Sequence, residues 1–364
     1  MFNEEEKIRY SRHFILPGFG KQAQEKLKKA RVLVVGAGGL GSPVLQYLAA
    51  AGVGKLGIID DDMVSLSNLQ RQILYNVDDI GKPKVDAAQK RLKALNPEID
   101  IVAINDKLTK DNVEEIFADY DIIADGTDNF ATRYLVNDAC VLFGKINVFA
   151  SILKYEGQVA VFNAIDKSGN RTANYRDFFP VPPQPGTVPS CAEAGVIGVL
   201  AGIIGTMQAN EVIKIITQTG EPLVNKVLLY NALTSKSTVF DIEKDAQNPL
   251  NKITSLADLQ DDYFVKTCDY IPEITWGELQ NWKQESKSFE VIDVRSIQEF
   301  SEFNIGGKHI PLETLENNYS DLQKDKTYVL VCLSGVRSKK AIEILRNKGF
   351  EHLYNLKNGL QHLL

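Results

Sequence analysis

The chain has 364 residues, 44% hydrophobic and 24% charged, with 41 lysines and arginines against 47 aspartates and glutamates, for a net charge of -6. This length supports two or three domains with a sizeable core, and the acidic balance argues against a general nucleic-acid or membrane-surface partner. Four cysteines, Cys140, Cys191, Cys268 and Cys332, lie far apart and form no C-x-x-C pair, which argues against a disulfide framework or a tetracysteine zinc site.

The N-terminal M-F-N-E-E-E-K is acidic and polar, unlike a signal peptide. The longest apolar run, Ala194 to Met207, holds four glycines and is short for a bilayer span. A cytoplasmic, reducing compartment is expected. Helical composition covers Glu4 to Arg12 and Gln22 to Lys29. Arg12, in R-Y-S-R-H, is taken alone an ordinary surface charge.

Arg31 to Val35 is a short β-branched run, suited to a buried parallel strand. Gly36, Gly38 and Gly41 follow as G-x-G-x-x-G. In that motif the first glycine permits a tight turn, the second a close approach of phosphate, and the third close helix packing. The following helix presents its N-terminal amides to an anion. A second strand, Leu56 to Ile59, ends in Asp60 about 20 residues on, where the motif places the acid that holds ribose hydroxyls. These residues alone leave NAD and ATP equally open.

In S-N-L-Q-R-Q, Ser67 is a plausible N-cap for a short helix carrying Arg71. Gly81 to Leu95 reads as a helix with Pro83 in its first turn and Lys84 beside it. Ile99 to Ile104 is a third strand and Lys110 to Ala118 a helix. A fourth strand, Asp121 to Ala124, runs into D-G-T-D-N, where Thr127 or Asp128 could cap the helix Asn129 to Phe143. This alternation predicts an α/β fold with a mainly parallel sheet, whose ligands bind beyond the C-terminal strand ends. Asp60 and Asp128 lie at that edge, and Arg71 and Lys84 lie on the connections leaving it.

From Ile146 the pattern changes. Two strands, Val148 to Lys154 and Gln158 to Asn163, turn at Tyr155-Glu156-Gly157. Asp177 to Ser190 is proline-rich and reads as an extended loop or lid. It leads into Cys191 and a glycine-rich helix, about Gly195 to Thr217. Late strands, Val227 to Ala232 and Ser237 to Asp241, close a first domain at 1–245. Residues 246–270 read as a linker, and 271–364 as a second, small α/β domain containing V-I-D-V-R and Y-V-L-V-C-L-S-G-V-R-S.

Two cations, Arg71 and Lys84, converging with two carboxylates suit triphosphate chemistry better than hydride transfer. A carboxylate attacking an α-phosphate is an anion approaching an anion, so positive charge must already be in place. A magnesium ion held by Asp128 would neutralise the departing pyrophosphate. Either cation alone could be surface charge.

The stretches R-Y-S-R-H, V-G-A-G-G-L-G, I-I-D-D-D, S-N-L-Q-R-Q, G-K-P-K, D-G-T-D-N, Y-E-G-Q and C-A-E-A-G-V-I-G together resemble the MoeB/ThiF family of ubiquitin-activating-like adenylyltransferases. The resemblance covers roughly the first 245 residues and implies a Rossmann-like adenylating domain. It implies ATP contacts at Gly39, Asp60, Ser67, Asn68, Leu69, Gln70, Arg71, Lys84, Asp128 and Asn129. It also implies a homodimer in which Arg12 reaches the ATP of the other subunit. Cys191 stays ambiguous: a free cysteine is usually a small buried hydrophobe, but one starting a helix has a lowered thiol pKa. In similar proteins the matching cysteine is proposed to form a thioester or a resolving disulfide. The sequence departs from the family at zinc. Many members carry two C-x-x-C pairs, whereas Asn174 and Asp177 stand in the first cysteine places and the segment around Lys244 to Pro249 has none. No structural zinc is expected.

V-I-D-V-R, H-I-P-L and C-L-S-G-V-R-S resemble a rhodanese domain. That implies a persulfide on Cys332 cradled by loop amides, with Arg337 adding charge. Together the two resemblances imply adenylation of the C-terminal glycine of a ubiquitin-like sulfur carrier ending in Gly-Gly, then sulfur transfer from Cys332 after a persulfide donor has loaded it. The product would serve molybdopterin, thiamine or tRNA thiolation. The alternatives are adenylation alone, with the second domain an adaptor, and a dimeric nucleotide-sensing scaffold.

Overall fold

Short apolar strands alternating with helices build the first sheet, because each strand has two faces to cover. The computed structural model describes residues 2–166, 168–183, 195–258, 271–285, 287–350, 352–361 and 363. The chain divides into two units, Met1–Phe264 and Val265–Leu364. Cys191, Cys268 and residues 184–190, half of the proline-rich stretch, lie outside the described residues.

In the first unit, β1 (Arg31–Val35), β2 (Lys55–Ile59), β3 (Asp100–Ile104), β4 (Ile122–Asp125) and β5 (Ile146–Leu153) pair in parallel in the order β3-β2-β1-β4-β5. Then β6 (Glu156–Phe162), β7 (Lys226–Asn231) and β8 (Lys236–Asp241) extend the sheet antiparallel. The helices are α1 (Glu4–Arg9), α2 (Ser11–Phe14), α3 (Gly20–Lys29), α4 (Gly41–Ala51), α5 (Lys84–Leu95), α6 (Val113–Ala118), α7 (Phe130–Leu142), α8 (Tyr175–Phe178) and α9 (Gly198–Thr217). The period of two along β1 sends Val32 and Val34 to one face, with Val44, Leu45 and Leu48 of α4. Leu33 and Val35 go to the other, with Val136, Ala139 and Cys140 of α7. Both faces are thus dry, and each buried aliphatic side chain contributes about 1.5–3 kcal/mol.

The structure revises several boundaries. Glu4 to Arg12 is two helices meeting at Tyr10, whose ring is buried. α5 starts at Lys84 with Pro83 as its N-cap, and α7 starts at Phe130 with Asn129 as its N-cap. Of the apolar run, residues 198–207 lie in the 20-residue α9, which starts at Gly198 rather than Gly195 and by length and composition could cross a membrane. Its apolar character has a local cause: Leu200, Ala201, Ile204, Ala209 and Val212 are buried, and the helix packs against α4, β5 and β6.

The second unit is a five-stranded, all-parallel sheet of β9 (Glu273–Ile274), β10 (Glu290–Asp293), β11 (Lys308–His309), β12 (Tyr328–Val331) and β13 (Leu353–Leu356), ordered β11-β10-β12-β13-β9. Its helices are α10 (Trp276–Gln284), α11 (Ile297–Glu302), α12 (Leu312–Leu315) and α13 (Val336–Asn347).

Candidate active site

The glycine turn after β1 opens the site. Gly36 has φ +90°, which disfavours a side chain, and a Cβ on Gly41 would lie 2.0 Å from the Gly36 oxygen. The turn therefore needs glycine for its conformation at one end and for close helix approach at the other. α4 begins without a side-chain cap, yet its Ser42 amide donates to Gly38 O at 3.0 Å and Pro43 has no N–H, so the anion-facing donors are those of the glycine turn that precedes the helix.

A cavity of about 340 Å³ lies beyond the strand ends, and Gly36, Gly38, Gly39, Asp60, Arg71, Lys84, Asp128 and Asn129 all line it. The Asp60 carboxylate accepts from the Ala37 amide at 2.7 Å and from the Asp62 amide at 2.9 Å, which fixes it at the mouth of β2. Burial raises its pKa, while Lys84 and the two amides oppose that rise. Lys84 is buried. Its Nζ donates to Asp62 Oδ2 at 2.7 Å and lies 3.8 Å from Asp60 Oδ1. Backbone bonds from the Lys84 amide to Asp62 O (2.9 Å) and from Val64 N to Lys82 O (2.9 Å) tie the start of α5 to the end of β2. Lysine and acids are thus brought together by strand-like pairing of two loops.

The S-N-L-Q-R-Q segment forms a 3-10 turn over Leu66–Asn68 with Ser65, not Ser67, at its N-cap. The reason is local: the Asn68 side chain accepts from Ser65 N at 3.1 Å, closing the turn two residues earlier. Arg71 lies in the turn that follows, and its Nη1 donates to Ser67 O at 3.1 Å. Ser67, Asn68, Leu69 and Gln70 do not line the cavity. Gln70 instead backs onto the start of α9, where a Cβ on Gly198 would lie 2.1 Å from its carbonyl oxygen. Gly41 faces the interior. Arg12, on α2, is exposed and away from the cavity lining of its own chain.

The D-G-T-D-N turn separates two aspartates by role. Asp125 is fully buried, and its Oδ1 accepts from Thr127 N at 3.0 Å and Thr127 Oγ1 at 2.6 Å. Thr127 is thereby unavailable as a helix cap, and Asn129 takes that place by accepting from Thr132 N at 2.9 Å. Burial raises the Asp125 pKa. Asp128 is exposed at the cavity lip, and among the described residues its carboxylate accepts no hydrogen bond. Among the described residues it is a charge at the cavity without a hydrogen-bond partner.

Sequence reading missed Gln72 and Arg133, both buried and both lining the cavity. Arg133 donates from Nη2 to Thr127 O at 3.1 Å and lies over the Phe130 and Phe149 rings. The available signal was its position four residues after Asn129, which returns it to the cavity side of α7.

In the second unit, β12 delivers Cys332 to a turn closed by Gly335, with φ +89°, at the N-cap of α13. The buried sulfur accepts from Gly335 N at 3.1 Å and from Ser338 Oγ at 3.3 Å. These donors would stabilise sulfur as an anion. Arg337 donates to Glu299 through both terminal nitrogens, at 2.7 and 2.5 Å. Asp293 and Arg295 of V-I-D-V-R form a buried ion pair at 2.7 Å and brace the neighbouring strand end.

Where the sequence lacks zinc-site cysteines, a carboxylate joins the two segments. Asp177 Oδ2 accepts from Asn174 N at 2.7 Å, and Oδ1 accepts from Asp245 N at 3.0 Å and Asn248 Nδ2 at 2.6 Å.

The model of the ThiF family matches residues 10–251, and that of the rhodanese-like domain matches 275–363. The probable adenylyltransferase/sulfurtransferase MoeZ of Mycobacterium tuberculosis is 44% identical over 98% of this chain and 93% of that protein. The sulfur carrier protein adenylyltransferase of Thermus thermophilus is 50% identical over 68% of this chain and 92% of its own. Among solved structures, E. coli MccB with MccA-N7isoASN superimposes with a TM-score of 0.59 at 24% identity, covering 68% of this chain and 75% of that one, a likeness of fold.

Proposed function

This chain belongs to the ThiF family and carries a rhodanese-like domain, and from that premise we propose that it adenylates the C-terminal glycine of a small ubiquitin-like sulfur carrier and then converts it to a thiocarboxylate. The enzyme is an adenylyltransferase and sulfurtransferase. The observation that carries this reading is the presence, in one chain, of a cation-lined glycine cavity and an amide-nested thiol. The cavity fits ATP chemically. The glycine turn faces phosphate, Asp60 meets ribose, and Lys84 and Arg71 offset charge as the carrier carboxylate approaches the α-phosphate. Asp128 would hold magnesium, which supplies charge neutralisation for the departing pyrophosphate. The acyl-adenylate makes the glycine carbonyl electrophilic. The Cys332 persulfide attacks it, AMP leaves, and an acyl disulfide forms. Attack on the Cys332 sulfur of that disulfide by a thiol, a role for which Cys191 is the candidate, breaks the S–S bond and releases the thiocarboxylate; Cys332 is then held in a disulfide with that thiol, and an external dithiol reductant returns both to free thiols. We propose a cytoplasmic, reducing location for it, because this chemistry needs free thiols. Carrier incubated with the protein, ATP and a persulfide donor should gain the mass of one sulfur in exchange for one oxygen. Unchanged mass under turnover conditions would refute the proposal.

The active form is proposed to be a homodimer with shared ATP sites. Arg12 is exposed and does not line its own cavity, and Val199 near the start of α9 is exposed. Neither Arg12→Ala nor Asp128→Ala protein should be active alone, but mixing them should restore activity, because one hybrid site then has both residues. Failure to complement after verified subunit exchange would separate Arg12 from the site.

Structural zinc is not needed in this reading, because Asp177 already joins the segments by accepted hydrogen bonds. Chelator treatment should leave Tm unchanged, and purified protein should hold no stoichiometric zinc. Asp177→Ala should cost about 2–3 kcal/mol, the scale of hydrogen bonds to a charged group. About one zinc per chain by metal analysis would contradict this.

A further inference from the structure

The loop from Cys332 to Arg337 contains one charged residue, Arg337. Its guanidinium is already committed to the bidentate pair with Glu299. Glu299 is itself held in place: Oε2 accepts from Ser296 N at 3.0 Å and Ser296 Oγ at 2.9 Å, the capping box that opens α11. A second carboxylate, Glu313, also acts on Arg337 electrostatically. The next cation along α13, Lys339, pairs with Glu273 at 2.9 Å. The cation of the thiol loop is therefore matched by at least one acid, and the loop offers backbone and hydroxyl donors but little net positive charge.

That balance bears on the sulfur donor. Thiosulfate brings two negative charges to a thiolate. The Cys332 thiolate attacks the outer sulfur, the S–S bond breaks, and sulfite departs with the electron pair, leaving the persulfide. Three negative charges meet in this step, so an unmatched cation at the loop would accelerate it strongly. A cysteine persulfide carries one charge at most on the reacting group, and none when protonated. The thiolate takes its outer sulfur, and the donor leaves as a thiolate. This transfer needs no such cation.

We propose that Glu299 is a specificity-determining residue: by pairing with Arg337 it lowers the affinity of the Cys332 loop for dianionic sulfur donors and leaves the loop selective for persulfides of low charge. The inference rests on the reading of Cys332 as the sulfur-accepting thiol. The Arg337 bonds hold the Glu299 pKa down at about 2, so the pair stays ionised at every ordinary assay pH.

The test uses the full-length protein. In Glu299→Gln the capping box survives, since glutamine serves at the same position. Thiosulfate kcat/KM should rise about tenfold, the lower end of electrostatic focusing, and should fall back as salt is added. Alkylation of Cys332, followed by mass spectrometry of its peptide, gives a readout independent of sulfur transfer. The ratio of iodoacetate to iodoacetamide rates should rise about threefold in Glu299→Gln, as expected for one charge rather than two, and should fall in Arg337→Ala. If Cys332 is labelled in all three proteins with an unchanged ratio, and thiosulfate kinetics do not move, the inference is overturned while the sulfur-transfer reading stands. If folded protein takes neither alkylating reagent nor sulfur at Cys332, that reading fails and the inference falls with it.

Discussion

Asp128→Ala should lower carrier-dependent ATP–pyrophosphate exchange by more than about a hundredfold without loss of stability. Both halves follow from its position. The carboxylate stands exposed at the lip of the cavity and accepts no hydrogen bond among the described residues, so its removal leaves no buried partner unsatisfied. Surface changes of that kind stay within about 0.5 kcal/mol. The functional cost arises because a ligand to the metal that neutralises pyrophosphate would be lost. Asp125, three residues earlier, is the internal control: it is buried and holds the Thr127 amide and hydroxyl, so Asp125→Ala should unfold at lower temperature. Lys84→Ala and Arg71→Ala should each raise the barrier by about 2–4 kcal/mol, the scale of a donor to developing charge. Near-normal exchange in Asp128→Ala would remove it from the site.

Cys332→Ala should separate the two halves of the enzyme. In the proposed reading adenylation uses the glycine turn, Lys84, Arg71 and Asp128, all in the first unit, and sulfur transfer uses a nucleophilic persulfide in the second. The variant should keep normal carrier-dependent pyrophosphate exchange, while thiosulfate sulfurtransferase activity and thiocarboxylate formation from a persulfide donor both fall to background. Arg337→Ala should weaken the same two activities less, because Gly335 N and Ser338 Oγ still donate to the sulfur. Free sulfide must be excluded, since it could attack the adenylate directly. Thiocarboxylate made at the normal rate by Cys332→Ala from a protein persulfide would mean that the second unit is an adaptor.

What the sequence determined by itself is what depends on short spacing. The glycine turn, the acid at the end of β2 and the strand–helix alternation are each set within a few residues, because steric freedom and periodicity act along the local chain. The α/β fold and the cavity edge were legible for that reason, and so was the cysteine loop. Even locally, competing side chains moved the details: Asn68 closed the turn that put Ser65 at the cap, and Asp125 took the Thr127 hydroxyl, leaving the cap to Asn129. Only the tertiary structure decided the pairings between distant segments. Lys84 meets Asp62 because two loops run side by side, Asp177 reaches Asn248 across 71 residues, and Glu299 meets Arg337 across 38. Such pairs carry no periodic signal, since packing of whole elements chooses which side chains come within bonding distance. They are also where charge is cancelled, so the sequence shows a cation at each site and only the fold shows how much of it is free to act.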